Sequence, residues 1–475
     1  MLIQICGDKE LIIMRKYKKP ILICLVTLLI FITACAKTNL PYITSNDNDA
    51  VEREGTKESP PSKEEVTDMN GRTFKFLTEF GSPNPDTEIG ELRLKLQEDA
   101  EKKYNVKIEW ETVPWAEAAT RVKTAHLSGE SVADFAMIEY YHAYPTMIAK
   151  GYLRPVDDLF DFSDPKWSSL LRNKVVGTFE GKRYGFDGCL APGATTGIYY
   201  NRTLFEREGL PDPQELAQKG QWTWDAFLDI AKRATRDLDG GGTIDQWGFV
   251  GYSVIFTRNL IYANNGKIVD ERDGKYVFTA TEDNSIETLR FVYDMWNTHK
   301  CAMPNAHGNF DDYQDSQKMF NTGKAAMVSG EVWEGKTRTD MTDEYGYVWY
   351  PKGPKATEYT NAITNFDMWY MPANAKYPEV AAKIFDDMQP WDRIGEETLG
   401  IVELNFRTEK DVNMALGMKD SLRVLYFGGI GDMGNPVVEL KFYEAVKAIT
   451  NDGEAPESAF EKIKDTCQQF IDDVL

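Results

Sequence analysis

The feature that most constrains the fold is an alternation of strand-like and helix-like segments that begins near residue 73. Thr73 to Leu77, Val106 to Trp110 and Asp134 to Ile138 are short runs whose apolar pattern predicts strands. Between them, Glu91 to Tyr104 and Trp115 to Leu127 are predicted to be helices. Strand–helix repetition is typical of a mostly parallel sheet covered by helices, so we predict an α/β fold. Ligands of such sheets bind at the carboxyl ends of the strands.

The N-terminus has the pattern of an export signal. Four basic residues between positions 15 and 19 precede an apolar run from Ile21 to Ile32, and Thr33-Ala34-Cys35 follows. This order resembles the lipobox of bacterial lipoproteins. The resemblance implies that residues 1–34 are a signal peptide and that Cys35 becomes the mature N-terminus and carries lipid, such as palmitate. An uncleaved membrane anchor is the alternative, although the apolar run is shorter than the roughly 18 to 20 residues of a spanning helix. Met14 is a second candidate start, because the residues before it include Asp8 and Glu10.

The charge of the chain excludes several kinds of partner. The net charge is −21, and loss of residues 1–34 removes five basic and two acidic side chains, which leaves −24. A nucleic-acid-binding protein or a body lying on anionic lipid needs basic surface. Residues 35–68 are polar and charged with few aliphatic side chains, so we predict a disordered tether between the lipid and the folded body.

Three cysteines remain in the predicted folded body, at positions 189, 301 and 467. They have no CxxC or metal-ligand spacing. Three cysteines can form at most one disulfide, and the favoured interpretation is that they are buried free thiols.

Five blocks along the chain carry a family resemblance. They are Gly151 to Leu159, Gly197 to Phe205, Thr223 to Phe227, Gly323 to Trp333 and Pro378 to Phe385. In this order, behind a lipobox, they resemble the extracellular solute-binding proteins of sugar-uptake ABC transporters, the family 1 group that includes maltose-binding protein.

The resemblance implies a two-lobed α/β fold of the periplasmic-binding-protein kind, with a hinge and a ligand cleft between the lobes. Lobe one would comprise residues 69–187 and 361–401, and lobe two residues 188–360 and 402–475. The chain would cross between lobes near Asp187, Tyr359 and Val402. Such a protein captures a carbohydrate, here an oligosaccharide, by closing its lobes, and delivers it to the permease subunits of the transporter.

A sugar site needs aromatic rings for the C–H faces and carboxylates or amides for the hydroxyl groups. The chain has such residues at its predicted strand ends, and Trp333 is the favoured stacking platform because the family places a ring there. Trp222, Trp224 and Trp296 are interpreted as structural, and only one of Tyr199 and Tyr200 is expected to face the core. The predicted sugar-binding residues are Phe80, Glu139, Tyr140, Tyr141, Asp187, Glu331, Trp333, Asn365, Asp367 and Trp369.

A second cluster of polar residues resembles the calcium loop of an EF-hand. Asp237, Asp239, Thr243 and Asp245 occupy the first, third, seventh and ninth positions, and Gly242 the sixth. Gly241 replaces the usual fifth-position ligand, and Gly248 replaces the bidentate Glu. The sequence predicts a weak, structural calcium site, with a simple Asp/Gly turn as the alternative.

No motif of a known catalytic centre is present. The sequence has no HExxH, GxSxG or P-loop, so we predict a binding protein that is not an enzyme and requires no cofactor. Two alternatives remain: a secreted glycan-active enzyme that uses an acid pair, and a binding protein for a non-sugar solute.

Overall fold

A computed structural model of the chain describes residues 67–114, 117–169, 177–187, 195–307, 309–363, 366–417, 422–424 and 437–475. The signal peptide, Cys35, almost all of the tether and Cys189 lie outside these residues. In the described part, the strands are β1 Arg72–Thr78, β2 Val106–Thr112, β3 Phe135–Glu139, β4 Thr178–Phe179, β5 Lys182–Arg183, β6 Gly185–Asp187, β7 Thr196–Asn201, β8 Trp247–Val250, β9 Val269–Arg272, β10 Lys275–Phe278, β11 Ala325–Glu331, β12 Tyr345–Val348, β13 Asn361–Ile363, β14 Asp367–Tyr370 and β15 Leu422–Val424.

The helices of the same part are α1 Glu88–Tyr104, α2 Glu117–Ser128, α3 Tyr140–Ala143, α4 Thr146–Ala149, α5 Arg202–Glu208, α6 Pro213–Gln218, α7 Trp224–Ala234, α8 Ser253–Ala263, α9 Asp283–Tyr293, α10 Phe310–Asn321, α11 Pro378–Asp387, α12 Ile394–Glu403, α13 Glu409–Leu416, α14 Val437–Asp452 and α15 Pro456–Val474. None of these helices has the length and apolar character needed to span a membrane.

The first sheet has the order β2-β1-β3-β14-β6. Strand β1 is parallel to both β2 and β3, which confirms the parallel arrangement expected from the alternating pattern. Strand β14 comes from far along the chain and lies antiparallel between β3 and β6. The carboxyl ends of β1, β3 and β6 and the amino end of β14 therefore share one edge.

The core of this first lobe is aromatic. Phe76 of β1 stacks on Trp110 at 4.9 Å between ring centroids and meets the edge of Trp369 at 5.8 Å. Phe385 of α11 joins the same cluster, 6.4 Å from Phe76. Because β1 has helices on both faces, its side chains are buried on both sides of the sheet.

The second sheet has the order β12-β7-β11-β8. Tyr199 and Tyr200 of β7 are both buried, at 0% and 1% exposure. The expectation that only one of them faces the core is wrong, because each face of this sheet packs against its own cluster of apolar side chains. Trp222, Trp224 and Trp296 are buried, as the sequence predicted.

Helix capping explains how the chain turns from strand to helix in this lobe. The Asn201 side chain accepts a hydrogen bond from the Leu204 N–H at 2.8 Å where β7 becomes α5. Thr223 occupies the same capping position at the start of α7. Asn and Thr are both residue types that favour this capping position.

The chain passes from the first sheet to the second after β6 and returns between β12 and β14. All strands of the first sheet lie within the predicted lobe one, and all strands of the second within lobe two. The lobe boundaries themselves stay a prediction. Cys301 and Cys467 are buried free thiols, and burial raises their pKa to about 11 and about 12, respectively.

Candidate functional site

The second lobe offers an exposed indole beside a carboxylate. Strand β11 ends at Glu331, and a short 3-10 helix, Val332–Thr337, carries Trp333 directly after it. The Trp333 side chain is 41% exposed, and its Nε1–H donates to the Glu331 carboxylate. The ring is therefore held in one orientation while much of its surface stays open.

Backbone contacts fix this turn. The Glu334 side chain accepts a hydrogen bond from the Glu331 N–H at 2.6 Å, and the Tyr199 hydroxyl donates to the Glu331 carbonyl at 2.8 Å. Gly335 allows the Asn405 carbonyl to pack against the turn, because a Cβ at this position would lie 1.7 Å from that oxygen. The carboxyl edge of β11 is thus a rigid platform.

A buried ion pair supports the platform from below. Arg338 lies 3.2 Å from Glu334, and both side chains are almost fully buried. The Arg338 guanidinium also covers the Tyr199 ring at 4.2 Å, and the Tyr313 hydroxyl donates to Glu334. Burial raises the pKa of Glu334, and the adjacent guanidinium opposes that rise.

A second buried ion pair was not predicted from the sequence. Arg258 of α8 lies 3.3 Å from Glu439 of α14, with 5% and 4% of the two side chains exposed. The Tyr443 hydroxyl donates to the same carboxylate. The available signal was Arg258 itself, the single charged residue of helix α8, which is otherwise built of apolar and small uncharged polar residues.

The charges of Glu334 and Arg258 both act on Glu331. Its pKa is raised to about 8, first because the carboxyl group is removed from water and second because Glu334 is close; the Trp333 hydrogen bond and Arg258 partly offset the rise. Near neutral pH the group therefore holds a proton in the unliganded protein.

This shift predicts a pH dependence of stability. Between pH 4.5 and 8 the folded state binds one proton that the unfolded state has released, so the free energy of unfolding falls as pH rises across this window. The contribution of one such group is at most about 1.4 kcal/mol per pH unit. Denaturant melts of the native protein and of Glu331→Gln at pH 5 to 8 measure it. The variant should show a flatter decline, and equal slopes would contradict the assignment.

The first lobe places acids at the matching edge of its sheet. Glu139 ends β3 and pairs in register with Asp367 at the start of β14. Both line a small cavity together with Glu79 and His142. Burial raises the pKa of Glu79 and lowers that of His142, whose Nε2 lies 3.4 Å from Glu139. Phe80, the next residue after Glu79, is 61% exposed.

Two predicted contacts with solute are better explained by packing. Tyr140 is 1% exposed and stacks between Tyr144 and Phe366, each at 4.9 Å. Trp369 is 5% exposed and lies within the aromatic core of the first lobe. We assign both residues to the core, because their rings have no open face.

Three further predicted contacts stay predictions. Asn365 lies outside the described residues, as do the side chains of Tyr141 and Asp187. The backbone of Asp187 pairs with Met368, so the residue belongs to the same edge as Glu139 and Asp367.

The predicted calcium loop forms an exposed turn after α7. One carboxylate oxygen from each of Asp237, Asp239 and Asp245 lies within 4.8 Å of the others. The Asp237 carboxylate accepts from the N–H groups of Gly242 and Gly240 at 2.8 Å, and these bonds lower its pKa. Among the described residues no fourth acid joins this group. The loop thus supplies three carboxylates, beside the Thr243 position of the same turn, and its occupancy stays a prediction.

The family model for bacterial extracellular solute-binding proteins matches residues 85–388. The chain belongs to this family. The matched residues of this solute-binding protein run from the start of α1 to the end of α11, and they include Glu139, Glu331, Trp333 and Asp367.

Solved structures share the fold of this solute-binding protein. A cyclo/maltodextrin-binding protein complexed with maltotetraose is 18% identical, with a TM-score of 0.62 over 85% of this chain and 97% of that chain. The GacH receptor of Streptomyces glaucescens, solved unliganded and with acarbose, is 18% identical, with a TM-score of 0.60 over 85% and 100%. UgpB from Mycobacterium tuberculosis, in complex with glycerophosphocholine, is 16% identical, with a TM-score of 0.60 over 84% and 98%. At these identities the likeness shows the fold.

Proposed function

We propose that this protein is the substrate-binding subunit of an ABC importer and that it captures a carbohydrate, most simply an oligosaccharide. The observation that carries the proposal is Trp333, an indole with 41% of its surface exposed and its orientation fixed by Glu331. An oriented ring beside a carboxylate matches the two faces of a sugar, one apolar and one rich in hydroxyl groups.

The acids of the first lobe supply acceptors for the other side of the solute. Glu139 and Asp367 lie at the edge where ligands of such sheets bind. Closure of the two lobes about the hinge would bring both walls onto the sugar, and the closed form would be presented to the permease. The maltotetraose and acarbose complexes of proteins with this fold support a carbohydrate ligand.

A thermal-shift screen across neutral and charged oligosaccharides tests the proposal. A ligand that binds only the folded state adds about 2.7 kcal/mol of stability when present at 100 times its Kd, and so raises the Tm. The screen should include glycerophosphocholine, because UgpB with that ligand has the same fold. A Tm increase with glycerophosphocholine and with no sugar would favour the non-sugar alternative. Sugar that stays intact after prolonged incubation with the protein indicates binding without hydrolysis, whereas cleavage products would indicate a glycan-active enzyme.

We also propose that Cys35 anchors the mature protein to the outer face of the cell membrane. The basic cluster, the apolar run and Ile32-Thr33-Ala34-Cys35 support this anchoring. Cys35→Ala should release the protein from the membrane fraction or block its processing, because the lipid attachment point is lost. Fractionation followed by immunoblotting measures both. A variant that stays membrane-bound at the normal mature size would contradict a lipid anchor.

Weak calcium binding at the Asp237 loop is a separate proposal, supported by the convergence of Asp237, Asp239 and Asp245. Calcium should raise the Tm of chelator-treated protein, and replacing Asp237 and Asp239 together by Ala should abolish that increase. Asp270→Ala is a matched control, because this acid lies outside the loop and pairs with Lys267 and Arg272. If calcium does not change the Tm of the native protein, the loop is a turn that does not bind calcium.

A further inference from the structure

Not every acid around Trp333 has a cationic partner among the described residues. In the described part of lobe two, the buried carboxylates of Glu334 and Glu439 each have their own guanidinium, from Arg338 and Arg258 respectively. Glu331 makes no ion pair within 4.0 Å among the described residues, and its side-chain hydrogen bond is the one that it receives from the Trp333 indole. One carboxylate at the open edge of β11 is therefore left without a positive partner.

The opposite lobe repeats this imbalance. Glu79 follows β1 at the carboxyl edge of the first sheet, is partly buried, and makes no ion pair among the described residues. Removal from water raises its pKa. Among the described residues, each lobe thus has at its binding edge a poorly solvated acid that makes no ion pair, Glu331 in one and Glu79 in the other.

An ionised carboxylate that is removed from water and has no cation is costly, so Glu331 takes up a proton in the empty site. A ligand that brings a positive charge removes that cost, whereas a neutral hydroxyl leaves it in place. The exposed face of Trp333 lies beside Glu331 and attracts a cation through the ring quadrupole. A net charge of −21 also favours the approach of cationic solutes.

We propose that the solute carries a protonated amine, as an amino sugar or a partly deacetylated oligosaccharide does, and that Glu331 and the Trp333 ring receive this ammonium group. The inference rests on the proposed carbohydrate function and specifies its substrate class. Glu331 determines specificity: an incoming ammonium group displaces the proton that Glu331 holds in the empty site, and the resulting carboxylate accepts its hydrogen bonds while the sugar ring packs on the indole. Glu79 on the facing lobe favours the same charge.

Titration calorimetry with sugars that differ at one atom group tests this. The β-1,4-linked glucosamine tetramer, its N-acetylated form and cellotetraose share a backbone and present an ammonium, an acetamide and a hydroxyl at the same carbon. Maltotetraose, glucosamine and glucose extend the comparison to a second linkage and to single rings. At pH 6.5 and low salt we expect the amino form of at least one matched set to bind tenfold or more tightly than its neutral counterparts.

The outcomes separate the inference from the function on which it rests. A neutral sugar that binds as tightly as its amino form, or a neutral sugar as the sole binder, overturns the inference and keeps the carbohydrate function. No binding by any sugar in the panel contradicts both. The preference should weaken only modestly in 0.5 M salt, since a partly buried ion pair is screened less than an exposed one.

A variant assigns the preference to its residue. Glu331→Gln keeps the size and the acceptor oxygen but cannot ionise when an ammonium group arrives, so the ratio of amino-sugar to neutral-sugar affinity should fall to within threefold. Glu206→Gln is the matched control, since Glu206 is an exposed acid of the same lobe on α5, and it should leave the ratio unchanged. We expect the Tm of unliganded Glu331→Gln to equal or exceed that of the native protein. This measurement checks that the variant folds. If Glu331→Gln keeps the same ratio of amino-sugar to neutral-sugar affinity as the native protein, the role proposed for this carboxylate is wrong.

Discussion

Trp333→Ala is expected to weaken sugar binding by about 2 to 4 kcal/mol, as truncation of a central aromatic contact does. At tenfold per 1.4 kcal/mol, this is about thirty- to thousand-fold in affinity. The physical reason is the open face of the indole, 41% exposed and held by Glu331, which a stacked sugar would cover. Titration calorimetry with the best sugar from the screen measures the change.

Stability provides the control for this variant. Because the ring is exposed, Trp333→Ala should change the free energy of unfolding much less than Trp222→Ala, which removes a fully buried indole and should cost about 3 to 5 kcal/mol. Trp333→Phe should recover part of the affinity, since a phenyl ring still stacks. Unchanged affinity combined with a large loss of stability would make Trp333 a core residue and move the site toward Glu139 and Asp367.

Arg338→Met should be the most destabilising single substitution around the site. It removes the cation from a buried pair and leaves Glu334 without compensation, at a cost of about 3 to 5 kcal/mol. Without Arg338, the pKa of Glu334 should rise further, so the deficit should be smaller at pH 5 than at pH 8, where the carboxylate must ionise. Urea melts at the two pH values measure both effects.

Two further variants separate charge from packing at this position. Arg338→Met combined with Glu334→Leu should recover much of the loss, because no buried charge remains unpaired. Arg233→Met removes an exposed guanidinium that pairs with Asp229 on the helix surface, and it should cost less than about 0.5 kcal/mol. An Arg338→Met variant as stable as Arg233→Met would mean that the pair contributes nothing.

The sequence predicted the strands of the first lobe well because their apolar patterns are local. The strands expected at Thr73 and Val106 form. Tyr199 and Tyr200 were misjudged because alternation assigns one face to water, whereas both faces of this sheet are covered. Whether a sheet face is covered depends on helices that are distant in sequence, so the pattern of one strand does not predict it.

The site was predicted only in part for the same reason. Trp333 and Glu331 follow a recognisable strand, and the structure brings them together. Trp369 is also an aromatic residue close to an acid at a predicted strand end, yet its ring packs among Phe76 and Phe385. The Arg258–Glu439 pair joins residues 181 positions apart, and no local pattern encodes such a contact.

The position of β14 sets the order in which this protein can be completed. The first strand of the first sheet begins at residue 72. Strand β14 lies between β3 and β6 in this sheet, but it is the last of the five strands along the chain and starts only at Asp367. A chain that emerges from its amino end therefore exposes the edges of β3 and β6 until nearly four fifths of its length has appeared. Pairing over such a distance is slow and leaves unpaired edges open to aggregation. The export proposed above, with the chain crossing the membrane unfolded, benefits from this delay, since lobe one cannot complete its sheet before β14 is available.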